Sequence, residues 1–187
     1  MAGHAHGEHG GDKRIALLIA ILALFLAIAE TGAKSAQTEA ITRNVEAANL
    51  WAFFQARTIR QTTLRTAAEE AELVKAASAD PAHRSAIERQ QAAWRGTIDR
   101  WESEPATGEG RRELADRARA AEAKRDRNMA AYHHYEYASA AFQVAIVLAS
   151  ASIITAVPLL AVGAIALGVG GVVLAGIGFI APEAVHF

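Results

Sequence analysis

Histidine, glutamate and lysine are the residues of this chain whose types and spacing could do chemistry. His4, His6 and His9 fall in the Gly-rich stretch of residues 1–12, MAGHAHGEHGGD. Imidazoles so spaced could ligate copper, nickel or zinc, but a solvated tail explains them equally well. They are metal candidates at most, and no metal or other cofactor is expected. His133 and His134 are adjacent, so on a helix they point about 100° apart and do not readily share one ion. His83 and His186 stand alone. The sequence holds no HExxH, nucleophile elbow or phosphate loop, and it has no Cys, which excludes thiol and disulfide chemistry. No catalytic set emerges, and the chain is not expected to be an enzyme. One charge pair remains. Glu30 and Lys34 lie one helical turn apart and can pair, and a carboxylate at the end of an apolar run needs either a partner or water.

That apolar run is residues 15–29, IALLIAILALFLAIA, with Lys13 and Arg14 before it. With its flanking turns, residues 13–33 approach the roughly 20 residues a helix needs to cross a bilayer. The run resembles a secretory signal, with Ala27-Ile28-Ala29 as a small-x-small site, but a retained signal-anchor helix is the preferred reading. Ala16, Ala20, Ala23 and Ala27 share one helix face, where small side chains let a neighbouring helix approach closely. Residues 138–157 and 158–181 form two further apolar stretches. None of the 19 Lys and Arg falls after Arg127, so the last third cannot be an ordinary solvated domain. In the third stretch Ala161, Ala164, Gly168, Gly171, Ala175 and Gly178 repeat at spacings of three and four. Such a stripe implies close helix contact, within the chain or between subunits.

Residues 34–137 are polar and Ala-rich, and they read as helices throughout. The first continues out of the initial span to about residue 79, a rod on the order of 65 Å. Its apolar positions Ile41, Val45, Ala48, Ala52 and Ile59 follow a narrow coiled-coil-like seam. Asp80-Pro81 has the form of an N-cap and first helical residue. SEPATGEG at residues 103–110 is a turn. Trp51, Phe54, Trp94, Ile98 and Trp101 are the expected packing residues of this helical-hairpin stalk, with breaks near 80 and at 103–110. The expected fold is thus all-α: three transmembrane helices, a stalk inserted between the first and second, and a short tail at 182–187.

NLWAFFQARTIRQ (residues 49–61), HHYEYA (133–138) and QVAIVLASASIIT (143–155), in this order of tail, span, polar helices and two closing spans, resemble the bacterial membrane family catalogued as domain of unknown function 4337. The resemblance runs from about Lys13 to Ala181. It implies a bacterial membrane protein and supplies no activity, ligand or catalytic residue.

The net charge of -1 gives no basic field for nucleic acid, so none is expected as a partner. Membrane lipid is. Basic residues beside the span ends lead to the expectation of a cytoplasmic stalk and C-terminus with the His tail outside, and the resemblance implies that the membrane is a bacterial inner one. The narrow small-residue faces point to a self-associating scaffold, a homo-oligomer that a single repeated contact can close into a ring. The alternatives are a pore- or transport-type oligomer around a channel or lipid-filled centre, and an accessory subunit of a larger membrane complex.

Overall fold

The computed structural model describes the backbone of residues 8–184 and the side chains of residues 13–184. Four helices follow one another: α1 (Glu8–Ala77), α2 (Pro81–Glu102), α3 (Arg111–Thr155) and α4 (Pro158–Ile180). Among the described residues there is no strand. The fold is all-α. α1, α3 and α4 each carry a stretch long and apolar enough to cross a membrane. α1 runs from the apolar stretch into the polar one without a stop, because no Pro interrupts it and Ala dominates its length. Of the N-terminal histidines, His4 and His6 lie outside the described residues, as does the side chain of His9.

The chain divides into two compact units. One holds the residues up to Thr42 together with those from Lys124 onward; the other is Arg43–Ala123. The first unit therefore takes in more than the apolar stretches. Ala36, Ala40 and Ala131 are buried in it, so small side chains carry helix packing past the point where the sequence turns polar.

In the first unit α1 and α3 run antiparallel. Phe25 stacks on Phe142 with ring centroids 5.9 Å apart, and Gly32 sits against the Tyr135 ring. A buried cluster of Leu22, Ala29, Ala138, Phe142, Ala145, Ala149 and Ala164 joins all three helices. α4 returns beside α3 through a turn at Ala156, whose φ of 54° is left-handed. The Ser152 hydroxyl donates to the Val157 carbonyl at 3.0 Å and ties that turn. The small residues of α4 fit where bulk could not. A Cβ on Gly168 would lie 2.7 Å from Leu22 Cδ2, one on Gly171 2.7 Å from Phe142 Cε1, and one on Gly178 2.9 Å from His134 Cβ. Between apolar helices in lipid, such close fit supplies the attraction that water expulsion supplies elsewhere.

In the second unit, Ala47 and Leu50 of α1 pack on Leu114, Ala118 and Ala121 of α3, with Trp51 and Phe54 at the margin. α2 lies antiparallel to α1. The Gln61 amide donates to the Ile98 carbonyl at 2.9 Å, and that of Gln91 to the Ala68 carbonyl at 2.9 Å. Asp80 caps α2 by accepting from the Ala82 N–H at 2.9 Å. Gly110 makes the entry to α3 possible, since a Cβ there would run into the Glu104 amide and stand 2.7 Å from Ser103 Cα.

The structure turns two expected packing faces outward. Ile41, Val45 and Ile59 are 58%, 53% and 67% exposed, and Ala48 and Ala52 are exposed beside them. The inward face of α1 in the second unit is instead Ala47, Leu50, Phe54, Arg57 and Gln61, a parallel stripe that mixes apolar and polar groups. Ala16, Ala20, Ala23 and Ala27 are likewise exposed. The bulkier Leu22, with Ile15, Leu18, Ile19 and Leu26, makes the contacts within the chain.

Candidate membrane-edge site

In the first unit, the end of the apolar stretch of α1 meets the start of that of α3. Glu30 and Lys34 on α1 line an open groove of about 390 Å³ with Tyr132, Glu136, Ser139 and Gln143 on α3. The α3 residues recur at spacings of four, three and four, so one helix face carries all of them. The α1 residues, one turn apart, do the same. Antiparallel register sets their depth. With Phe25 opposite Phe142 and Gly32 opposite Tyr135, Ser139 and Gln143 lie at the level of the apolar run of α1. Glu136 lies near Glu30, and Tyr132 near Lys34.

The Glu136 carboxylate accepts from the Tyr132 hydroxyl and stands 3.7 Å from His133 Nδ1. Glu30 and Lys34 are both exposed, and among the described residues no ion pair joins them. The expected charge pair is therefore open: the two groups share a groove and face water. Ser139 is 8% exposed, and its Oγ has no hydrogen-bond partner. The groove thus combines two carboxylates, one ammonium, two neutral polar groups near apolar depth, and an aromatic hydroxyl at its mouth.

His134 turns the other way, as adjacent helical residues must. It is fully buried, with Nε2 3.1 Å from the Pro182 carbonyl oxygen, and it holds the end of α4 against α3. His133 is exposed. Among the described residues no group of three or more His, Cys, Asp or Glu side chains is placed to hold a metal ion.

The packing residues named from the sequence gather in the second unit around arginine. Trp51 Nε1 donates to Glu122 at 2.8 Å, and its ring meets Phe54 edge-on at 5.4 Å. The Arg111 guanidinium lies 4.9 Å from the centre of the Phe54 ring. Arg57, 8% exposed, reaches Glu109 at 2.9 Å and lies 5.8 Å from the Trp101 ring. Trp94 and Ile98 are half-buried on α2. Gln61 is fully buried. Its carbonyl accepts from Arg111 at 3.0 Å, and Arg111 also pairs with Glu102 at 2.9 Å. Burial pushes the Glu102 carboxyl upward, but the Gln61 hydrogen bond and the Arg111 and Arg112 charges outweigh it and hold the group below its ordinary 4.5. The Ser103 hydroxyl, at 2.6 Å, leads the groups that lower Glu113. These contacts tie the three helices of this unit together through a polar core.

The sequence profile of the family described as "Domain of unknown function (DUF4337)" matches residues 11–181. The chain belongs to that family. The matched range covers the groove and the arginine core alike, and the family description attaches no activity to either. No curated protein and no solved structure matches the chain.

Sequence reasoning paired Glu30 with Lys34 but did not bring Tyr132, Glu136, Ser139 and Gln143 together with them. The four-three-four spacing of polar residues running into an apolar stretch was the available signal.

Proposed function

We propose that this chain is a non-enzymatic, multi-pass protein of a bacterial inner membrane, and that it self-associates to act as a scaffold. Its partners are membrane lipid and further copies of itself. One observation carries the reading. In the polar unit, α1 turns an apolar stripe outward: Val45, Ile59 and Leu73 are 53%, 67% and 73% exposed, with Ala48 and Ala52 between them. Burying such a side chain fully contributes about 1.5–3 kcal/mol, so a charged, water-facing unit that leaves a heptad-spaced row bare gains by covering it.

A second copy fits that row. Every copy enters the bilayer by the same segment of α1, so two copies meet with these helices parallel. In a parallel pair the flanking positions bring Arg65 of one copy opposite Glu70 of the other, a complementary contact. Both residues are exposed. The outward Ala16, Ala20, Ala23 and Ala27 offer the same helix a close approach in lipid. Basic residues near the span ends support a cytoplasmic polar unit.

The chain has no native Cys, so introduced cysteines report contact cleanly. Ile59→Cys, on the stripe, is expected to form a disulfide-linked dimer in oxidised membranes, and Arg60→Cys, one residue off it, is not, because bridging needs Cα atoms within about 7 Å. Equal crosslinking at both positions, or none at Ile59→Cys, overturns the reading.

A further inference from the structure

We propose that the groove between α1 and α3 binds one phospholipid whose headgroup carries a primary ammonium. The proposal rests on the reading that α1, α3 and α4 cross a bilayer.

The first observation is an unmet hydroxyl. In the apolar stretches, hydroxyl side chains find acceptors inside the chain: Thr31 donates to the Ala27 carbonyl at 2.8 Å, Ser150 to Ile146 at 2.8 Å, Ser152 to Val157 at 3.0 Å and Thr155 to Ala151 at 2.8 Å. Ser139 does not, although it is 8% exposed and its Oγ lies out of reach of solvent. A buried donor left unmet is destabilising unless something outside the chain accepts from it. One turn deeper, the exposed Gln143 amide is bonded to no protein group among the described residues. Both residues line the groove. Polar groups at that depth are expensive in hydrocarbon and mark sites of use.

The second observation is the order of charges with depth. Ser139 and Gln143, neutral donors, lie at the level of the apolar run. The Glu136 and Glu30 carboxylates come next outward. A phospholipid presents its groups in the same order: ester carbonyl and phosphodiester oxygens near the acyl chains, the ammonium farther out. The exposed Gln143 amide donates to the oxygens, and the Ser139 hydroxyl, unmet where it stands, joins it by turning about χ1 into the groove. The ammonium donates to Glu136 and Glu30. Two carboxylates against the single Lys34 ammonium leave the lining net negative. That selects against a lipid whose headgroup carries no cation. A quaternary ammonium has no N–H to donate, so the primary amine is preferred over it as well.

The test uses the full chain, exchanged into mixed vesicles of phosphatidylethanolamine, phosphatidylcholine and phosphatidylglycerol in equal parts. The chain is then purified, washed and weighed for bound lipid by mass spectrometry. Expected is about one phosphatidylethanolamine per chain, enriched over the other two. Glu136→Gln is expected to cut that enrichment by about tenfold, the weight of one charge-assisted hydrogen bond, whereas Ser139→Ala is expected to lower the retention of all three lipids together and leave their ratio unchanged. Should Glu136→Gln lose helicity, Glu30→Gln, an exposed carboxylate on the opposite wall of the groove, is read in its place with the same expected loss of enrichment. Equal retention of all three lipids, or unchanged enrichment in Glu136→Gln, overturns the proposal. Displacement of the lipid by soluble phosphoethanolamine would assign the site to the headgroup alone and overturn the lipid. Flotation with pure phosphatidylcholine vesicles separates the two levels: a chain that floats but does not select loses only this site, whereas one that does not float loses the membrane reading.

Discussion

Gly171→Ala tests the packing of the apolar unit at a single atom. The new Cβ would stand 2.7, 2.9 and 3.1 Å from Phe142 Cε1, Cζ and Cδ1, where carbon atoms prefer about 3.5–4.0 Å. Something must yield by nearly 1 Å. The ring has little room to do so, because Phe142 is fully buried and stacked on Phe25. Inserting a methyl into such a contact costs about 1–3 kcal/mol. Gly170→Ala is the matched control, since nothing lies within 4 Å of its Cβ. Both substitutions gain about 1 kcal/mol of helix propensity, so that term cancels between them. Gly171→Ala is therefore expected to be about 1–3 kcal/mol less stable than Gly170→Ala, measured by denaturant unfolding of the full chain in mixed micelles. Adding Phe142→Leu is expected to return part of the loss, a coupling that a double-mutant cycle reads directly. Equal stability of the two alanine variants would refute the close approach of α4 to α3.

Three further outcomes follow from the same geometry. Gln61→Ala removes a fully buried amide that serves both Ile98 and Arg111, and a loss of about 2 kcal/mol is expected in urea unfolding; a loss under about 0.5 kcal/mol would contradict the buried network. Ala156→Gly relieves a left-handed residue that costs about 1–2 kcal/mol, against about 0.4–1 kcal/mol of added chain entropy, so unchanged or slightly raised stability is expected, and a marked loss would contradict the turn. Glu102 and Glu113 are held below their ordinary 4.5, so the stability they contribute is complete above that value and disappears as pH falls through their lowered folded values. Helical circular dichroism in fixed urea is expected to hold down to about pH 4.5 and to fall below it, whereas a loss beginning near pH 7 would contradict the assignment.

The sequence was most legible where one periodicity faced one environment. The α4 stripe of Ala164, Gly168, Gly171 and Gly178 packs inside the chain because small residues in an otherwise bulky helix leave only one side open to close approach. The Asp80-Pro81 helix start and the glycine-bearing turn before α3 were equally plain, since both rest on local backbone chemistry. α1 was harder to read because it carries two stripes. Ile41, Val45 and Ile59 follow the cleaner apolar rhythm, yet the chain buries Ala47, Leu50, Phe54, Arg57 and Gln61. Periodicity finds faces without saying which one the rest of the chain will cover, and a polar residue such as Gln61 does not announce that its partners are Ile98 and Arg111, 37 and 50 residues away. The groove was half legible for the same reason. Glu30 and Lys34 are neighbours in sequence, whereas Glu136 and Ser139 reach them only through the antiparallel pairing of α1 with α3.

Self-association is tested most directly by weighing the full chain in phospholipid nanodiscs by native mass spectrometry. The protein mass is expected at twice 19.8 kDa or a higher whole multiple. A population found only at 19.8 kDa, at every protein concentration, would leave the outward stripe of α1 uncovered and contradict the scaffold.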